Sequence, residues 1–432
     1  MPKKASNREI ASWCLYDFGD SAFTTLIVTV SYALYFRGVV ATGLGARASF
    51  YWGLSIATSM AIVALLAPVL GAAADAAGRK KTFLACAAGT AITFTALLGL
   101  VGPGDIAAGM ILFILANVGY EGAHVFYNGF LPEIASDDEM GRISGYGWAV
   151  GYIGGLAAIL LSLPLTRQGF EGEGAALYRW TFPLVALFYL VFSLPVLLVL
   201  RERAPRKAET LAGLVRDGVA RLTATLHSVR RQGDLLRFLL AFFAYNDGVM
   251  TVISFAAIYA QNVIGFTMQQ VTLLFLVTQV TAFIGAFAAG WLVDRIGARV
   301  TILLTLVLWC GVVTAAFLAR SVPQFFVVGA VASIGMGSTQ TASRSLMGLL
   351  VPPGRSAEFF GFYGLTGKIS AIFGPVVYGW VASIYGTERP AVLSVVPFFL
   401  LGLVLLMTVN VERARRAAGR DVSAAVGAAV AS

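Results

Sequence analysis

Long apolar stretches separated by short polar breaks fill most of this 432-residue chain and constrain its fold more than any other feature. A bilayer core about 30 Å thick takes roughly 20 helical residues to cross, and the stretches have that length. Of all residues 58% are hydrophobic and 12% are charged. The pattern predicts an all-α polytopic membrane protein with spans near residues 10–36, 49–74, 82–102, 106–130, 143–165, 179–200, 237–264, 268–293, 300–319, 323–350, 357–385 and 389–410.

The distribution of positive charge predicts the orientation of these spans. The formal net charge is +9, and in membrane proteins Lys and Arg collect in cytoplasmic segments, so nucleic acid is not expected as a partner. With both termini in the cytoplasm, 23 of the 31 Lys and Arg are cytoplasmic. The others lie outside or within the membrane, at Arg37, Arg47, Arg167, Arg179, Arg320 and Arg389, and at Arg344 and Lys368. The charge distribution therefore predicts that both termini lie inside, and we expect the membrane to be the bacterial inner (plasma) membrane.

Internal repeats predict two similar six-helix halves. Gly145 and Gly151 of the fifth span recur at one common offset as Gly361 and Gly367 of the eleventh. Three residues at the end of the second span recur with the same spacing at the end of the eighth, namely Gly71, Asp75 and Gly78 as Gly290, Asp294 and Gly297. The predicted organisation is a bundle over 1–200, a linker over 201–236, a second bundle over 237–412 and a cytoplasmic tail over 413–432. Such pairs of halves enclose a substrate site near the membrane midplane.

The linker carries an amphipathic pattern. Apolar residues from Leu211 to Val229 recur at helical spacing, with arginines among the polar positions. This pattern favours a helix that lies on the cytoplasmic membrane surface and contacts membrane lipids. A regulatory docking helix is the alternative.

The loop after the second span resembles the signature loop of the major facilitator superfamily. It reads Gly71-Ala-Ala-Ala-Asp75-Ala-Ala-Gly78-Arg79-Lys-Lys, and the shorter second copy reads Gly290-Trp-Leu-Val-Asp294-Arg295-Ile-Gly297. The aspartate can cap or pair with a neighbouring helix end, while the basic residues stay in the headgroup region. The resemblance implies that these residues hold one conformational state together and do not bind substrate.

A second resemblance is narrower and covers nearly the whole chain. The opening Trp13-Cys-Leu-Tyr16-Asp17-Phe-Gly-Asp20-Ser-Ala-Phe23 is similar to that of the autophagy-related vacuole effluxer-like branch, which has Asn in place of Asp20. The likeness continues through Leu131-Pro-Glu133, Ser144-Gly145-Tyr-Gly, Glu358-Phe-Phe-Gly361 and Lys368 to Gly374-Pro375. It implies the major facilitator fold, with about twelve helices in two pseudo-symmetric bundles, and transport by alternating access, with amino-acid efflux as the known activity.

Ionisable residues inside the spans mark the candidate pathway, because a charge in hydrocarbon is costly unless it faces a cavity or a partner. They are Asp17, Asp20, Glu121 and His124 in the first half, and Asp247, Arg344 and Lys368 in the second. Four of them, Asp17, Glu121, Asp247 and Lys368, lie roughly 12 to 17 Å from the cytoplasmic ends of their spans and can form one layer. We take all seven as candidates for substrate binding or coupling.

These residues predict a secondary transporter for a small zwitterion such as an amino acid. Carboxylates of the first half would face the cations of the second, and a carboxylate is the candidate proton carrier. If these charges instead neutralise one another, the cavity suits lipids or hydrophobic drugs. We expect a monomer without a cofactor. No metal site is expected, since Cys14, Cys86 and Cys310 lack metal-ligand spacing. Direct use of ATP is not expected, because no ATP-binding loop occurs.

An enzyme is the alternative from another class. Asp17-Phe-Gly-Asp20 has the spacing with which intramembrane prenyltransferases hold magnesium and a diphosphate. No second aspartate-rich loop faces it, because Asp137-Asp-Glu139 lies in a predicted cytoplasmic turn. The doubled signature loop favours the transporter.

Overall fold

Twelve helices long and apolar enough to cross a membrane form the described part of the chain, residues 5–44, 47–170, 174–204 and 233–419 of a computed structural model. Within these ranges there is no β-strand. The spans are α1 (Asn7–Val40), α2 (Arg47–Ala77), α3 (Lys80–Leu100), α4 (Ile106–Ile134), α5 (Met140–Thr166), α6 (Gly174–Val199), α7 (Gly233–Ile264), α8 (Gln269–Ile296), α9 (Ala298–Leu318), α10 (Val322–Leu350), α11 (Ser356–Tyr385) and α12 (Glu388–Met407). A short helix, α13 (Val411–Ala417), follows α12.

Each predicted span coincides with one of these helices, so the predicted fold class is confirmed. The predicted amphipathic helix, 211–229, lies outside the described residues, as do residues 420–432 of the tail. Because the number of spans is even, α1 begins and α12 ends on the same face of the membrane, which we call the terminal face.

The repeated glycines allow the two halves to touch closely near the terminal face. A Cβ added to Gly71 of α2 would lie 2.4 Å from the carbonyl oxygen of Ala357 in α11. One added to Gly290 of α8 would lie 3.0 Å from the carbonyl oxygen of Gly141 in α5. Ala357 and Gly141 occupy matching positions, because the offset between them equals that between the repeated glycines of α5 and α11. The helix pairs α2–α11 and α5–α8 are therefore equivalent seams of a pseudo-symmetric molecule.

Several of the described spans, α1 and α11 among them, are irregular where the sequence predicts continuous helices. In α1 the segments Phe23–Thr29 and Phe36–Val40 are π-helical, and a break at Val30 separates the first of them from the short α-helix Ser31–Tyr35. In α11 the helix Ser356–Ser370 stops, and a second helix, Phe373–Tyr385, begins. Such breaks within spans are typical of transporter helices next to a binding site.

Candidate functional site between the two halves

Arg344 of α10 reaches out of its own half and is buried in the other. Its Nη1 donates to Asp17 Oδ2 at 3.2 Å and to Asn128 Oδ1 at 3.4 Å. Its Nε donates to Ser144 Oγ at 3.0 Å, and its Nη2 to the Ser144 carbonyl at 2.5 Å. Arg344 is 2% exposed. These partners all belong to the first half, so Arg344 fastens α10 to α1, α4 and α5.

Aromatic rings complete the surroundings of this guanidinium. Its carbon lies 5.0 Å from the ring centroids of Trp13 and Trp148 and 5.9 Å from that of Tyr127, within the range of cation–π attraction. The Tyr127 hydroxyl also donates to Asp17 Oδ2 at 2.9 Å. We call this set of first-half residues the Arg344 cage: Trp13, Asp17, Tyr127, Ser144 and Trp148.

Gly147 of α5 lines the cage and leaves no room for a side chain. A Cβ at this position would lie 2.7 Å from Arg344 Nη2 and 2.8 Å from Asp17 Oδ2. Real Cβ atoms do not approach polar atoms so closely, so the ion pair in this position requires glycine here. Helical packing alone does not explain this glycine, because its nearest neighbours include the charged atoms of the site.

A second ion pair joins the halves beside the first. Lys368 Nζ of α11 lies 2.5 Å from Glu121 Oε1 of α4. The Lys368 side chain is 34% exposed, whereas those of Arg344 and Asp17 are 3% and 4% exposed. In both pairs the first half supplies the carboxylate and the second half the cation.

A third pair lies within the first half. His124 Nε2 of α4 is 3.2 Å from Asp20 Oδ2 of α1, and the Asp20 side chain is 1% exposed. The histidine carries charge in this pair only when protonated. A buried carboxylate against an imidazole, one helical turn from Asp17, is chemically suited to hold or pass a proton.

Asp247 of α7 has a different environment from the other candidates. Both of its carboxylate oxygens accept from the backbone N–H of Gly374, at 2.8 and 2.9 Å, and the residue is fully buried. Gly374 lies in the first turn of the second helix of α11, so the carboxylate caps that helix at its break. These bonds stay within the second half.

The signature loop forms the first of two gates on the terminal face. Asp75 Oδ2 accepts from the backbone N–H of Glu358 in α11 at 2.8 Å, and Asp75 Oδ1 lies 2.9 Å from Lys80 Nζ. Lys80 also pairs with Glu133 and donates to Ser356 Oγ at 2.6 Å.

Arg79 is exposed, as predicted for the headgroup region, but Lys80 is 2% exposed. For Lys80 the prediction is wrong, because acceptors from three helices surround its amine.

The second copy of the loop forms the matching gate. Asp294 of α8 accepts from the backbone N–H groups of Gly141 at 2.8 Å and Arg142 at 3.1 Å, at the start of α5. The Arg142 side chain adds a bond from Nε at 3.1 Å. Arg295 is exposed and lies over the Trp291 ring at 5.1 Å.

Both loops turn through a glycine with positive φ. The φ angles are +59° at Gly78 and +88° at Gly297, directly after the last residues of α2 and α8. Glycine adopts such angles without the steric cost of other residues, which explains its place in both copies. The turn keeps Asp75 and Asp294 on the helix ends that face the opposite half.

The helix after the last span adds a further contact between the halves. Arg413 of α13 pairs with Asp234 at the start of α7, within the second half. Arg415 pairs with Asp137, in the loop between α4 and α5 of the first half. The terminal face is thus closed by contacts at both seams and by α13.

The structure brings together six of the seven predicted candidates. Asp17 meets Arg344, Asp20 meets His124 and Glu121 meets Lys368, while Asp247 stands apart at the break in α11. Their roles in binding or coupling stay predictions.

Sequence reasoning missed the aromatic members of the cage. The signal was present in Trp13, which opens the family-like segment just before Tyr16-Asp17.

Two bundles of six helices, joined by ion pairs and hydrogen bonds between the halves, define the class of major facilitator superfamily transporters. A family model described as "Vacuole effluxer Atg22 like" matches residues 39–419. The chain belongs to this family, within that superfamily. Since these proteins are transporters, the prenyltransferase alternative is excluded.

Relatives in sequence agree with this assignment. An uncharacterized MFS-type transporter, YxiO of Bacillus subtilis, is 29% identical over 95% of this chain and 97% of its own length. Autophagy-related protein 22-1 of Aspergillus fumigatus is 30% identical over 64% of this chain, which spans about half the length of that fungal relative.

Solved structures support the fold alone, since their sequence identity is low. A variant of the Escherichia coli fucose:proton symporter FucP superposes with a TM-score of 0.72 at 14% identity, over 93% of this chain and 98% of its own. The human organic anion transporter MFSD10 gives 0.70 at 19% identity, over 92% and 99%.

Proposed function

We propose that this protein is a secondary active transporter that exports a small zwitterion, of the class of amino acids, by alternating access. The observation that carries the proposal is the division of charge between the halves. Asp17 and Glu121 stand on the first half, and Arg344 and Lys368 on the second. An α-amino acid presents the same separation of charge, so its ammonium and carboxylate can each find a partner when the halves move apart.

The closed terminal face supports the assignment of this conformation to the outward-facing state of the transport cycle. With that face in the cytoplasm, as the charge distribution predicts, the gates at Asp75 and Asp294 close the cytoplasmic side. The Lys368 side chain is 34% exposed, while the Arg344 side chain in its cage is 3% exposed. The relative from Bacillus subtilis supports a plasma-membrane location.

Proton coupling belongs to the same proposal. Asp17 and Glu121 face basic side chains of the second half, and both pairs must break when the halves separate. Asp20 and His124 stay together within the first half and can exchange a proton in either state. We propose that a carboxylate among Asp17, Asp20 and Glu121 takes up the proton during the cycle.

Export of lipids or hydrophobic drugs is the alternative that the ion pairs themselves favour. In this conformation the charges neutralise one another, so a cavity beside them needs no charged substrate and suits an apolar one. The two proposals differ in what binds, and binding can be measured directly.

The test uses purified protein and a panel of amino acids, short peptides, lipids and cationic drugs. We expect saturable thermal stabilisation by a zwitterion and accumulation of the same compound in inside-out proteoliposomes under a proton gradient. Both are lost in Lys368→Ala and kept in Arg320→Ala, which removes an exposed positive charge on the opposite face. Stabilisation by lipids or drugs, with none by any zwitterion, contradicts the proposal.

A further inference from the structure

We propose that the Arg344 cage is a binding site for the cationic group of the transported molecule, an ammonium or a guanidinium. In the structure the protein's own guanidinium occupies this site. The cargo cation replaces it when the halves separate at the terminal face. That the bound cation belongs to a transported molecule rests on the proposed function. Binding of a cation to the site can be tested without transport.

The cage has the composition of a cation site, and its members all belong to one half. Asp17 supplies a carboxylate, Trp13 and Trp148 supply ring faces 5.0 Å from the cation, and Ser144 supplies a hydroxyl and a carbonyl acceptor. Tyr127 holds the carboxylate from the other side through its hydroxyl. The cation comes from the second half. Movement of the second half therefore removes the occupant and leaves the site intact.

Separation of the halves leaves the Asp17 carboxylate without its positive partner, Arg344. The Asp17 side chain is 4% exposed, and a carboxylate left in such a place without its partner is strongly destabilised. The Tyr127 hydroxyl is neutral and cannot take the place of a positive charge. Either a proton or a cation that enters from the opened side can compensate the carboxylate, and the rings and acceptors of the cage suit the cation.

The rings indicate which kind of cation is preferred. Aromatic faces attract weakly hydrated organic cations, and guanidinium groups in addition stack on them. The acceptors of Asp17 and Ser144 suit a group with several N–H donors, which is how they bind Arg344. An ammonium or guanidinium carried by an organic molecule satisfies both requirements.

Because Arg344 and the cargo cation share one site, binding of the cargo, closure of the terminal face and release from the cage follow a fixed order. While the terminal face is open, the cargo ammonium lies in the cage and Arg344 is free to bind the cargo carboxylate. When the face closes, Arg344 returns to the cage and displaces the ammonium towards Glu121, beside the partly exposed Lys368. Closure and release from the cage are then the same event, which favours movement of cargo away from the terminal face.

The experiment empties the cage and supplies a small cation in place of the side chain. In Arg344→Ala we expect methylguanidinium to raise the melting temperature and to change the tryptophan fluorescence, both saturably, because Trp13 and Trp148 flank the site. Methylurea, of the same shape without charge, is the matched probe and gives neither effect. Adding Asp17→Asn to Arg344→Ala weakens methylguanidinium binding about tenfold or more, as expected for the loss of a buried charge partner. Arg344→Gln serves as a second emptied variant if the alanine variant does not fold.

Three results overturn the proposal: a folded emptied variant that shows no saturable response, an equal response to methylurea, or binding that Asp17→Asn leaves unchanged. In wild-type proteoliposomes we further expect methylguanidinium to inhibit transport several-fold from the terminal face only. Inhibition from the opposite face alone also overturns the cage as the cargo site. Intact cage binding in a protein that transports no zwitterion contradicts the proposed function and leaves the cation site standing.

Discussion

Asp75 and Asp294 occupy equivalent positions, and each accepts a backbone hydrogen bond of 2.8 Å from the first turn of a helix in the opposite half. Asp75 of the first half binds the N–H of Glu358, and Asp294 of the second half binds the N–H of Gly141. A carboxylate at a helix N-terminus is stabilised by the helix dipole as well as by the hydrogen bond. The same interaction, an aspartate carboxylate bound to a helix N-terminus of the opposite half, therefore holds both seams. Each of these hydrogen bonds exists only while the terminal face is closed.

Asp75→Asn is expected to slow turnover and leave the apparent substrate affinity nearly unchanged. Asparagine keeps one acceptor for the Glu358 N–H but loses the charge that pairs with Lys80. A loss of about 1–2 kcal/mol in the closed state shifts the balance of conformations by roughly 5–30-fold. Transport kinetics measure both quantities in one assay. Reduced affinity with normal turnover would place Asp75 in the binding site and contradict its assignment to the gate.

Gly71→Ala is expected to open the terminal face without unfolding either half. The added Cβ would lie 2.4 Å from the Ala357 carbonyl oxygen across the seam, and such overpacking costs about 1–3 kcal/mol. Gly154→Ala is the matched control, because its Cβ would lie 2.1 Å from the Phe18 carbonyl oxygen within the first half. It should lower the melting temperature without opening the face.

Electron-spin distances between labels at Asp138 and Thr408, both exposed on the terminal face, measure this opening once Cys14, Cys86 and Cys310 are replaced. The Gly71→Ala variant should show a longer distance than wild type, and the Gly154→Ala variant should not. Equal distances in all three proteins would mean that the glycine seam does not set the conformational balance.

The sequence predicts the fold well because its signals are local and repeated. Span length, the constant offset between the repeated glycines and the doubled Asp75 and Asp294 loops each follow from short segments. The site is harder to predict, because the partner of each charge depends on how the halves meet. A list of buried charges does not say that Arg344 meets Asp17. The break in α11 also escapes prediction, since Gly374 permits a break but its cap, Asp247, comes from another span.

Asp20→Asn is expected to reduce proton-driven accumulation if the Asp20–His124 pair carries the coupling proton. Asparagine preserves a polar contact to His124 but cannot ionise. Substrate exchange without a gradient should persist, since the inter-half pairs at Asp17 and Glu121 are untouched. Accumulation and exchange are compared in the same proteoliposomes, with Glu121→Gln and Asp17→Asn assayed in parallel. If all three neutral variants still concentrate substrate up a proton gradient, coupling lies elsewhere or the transporter is not proton-driven.

Exchanging the two charges of the Glu121–Lys368 pair separates a structural role from a binding role. Lys368→Glu alone places two carboxylates opposite each other and should destabilise the closed state. The cost is expected to be about 1–3 kcal/mol, less than for a fully buried pair, because Lys368 is 34% exposed. The double variant Glu121→Lys, Lys368→Glu restores the pair with reversed polarity and should recover the melting temperature. If the pair also orients a zwitterion against the unchanged Asp17 and Arg344, transport stays at least about tenfold below wild type despite this recovery. Recovery of both stability and transport would show that the pair only holds the halves together, and the substrate would then have to be recognised elsewhere.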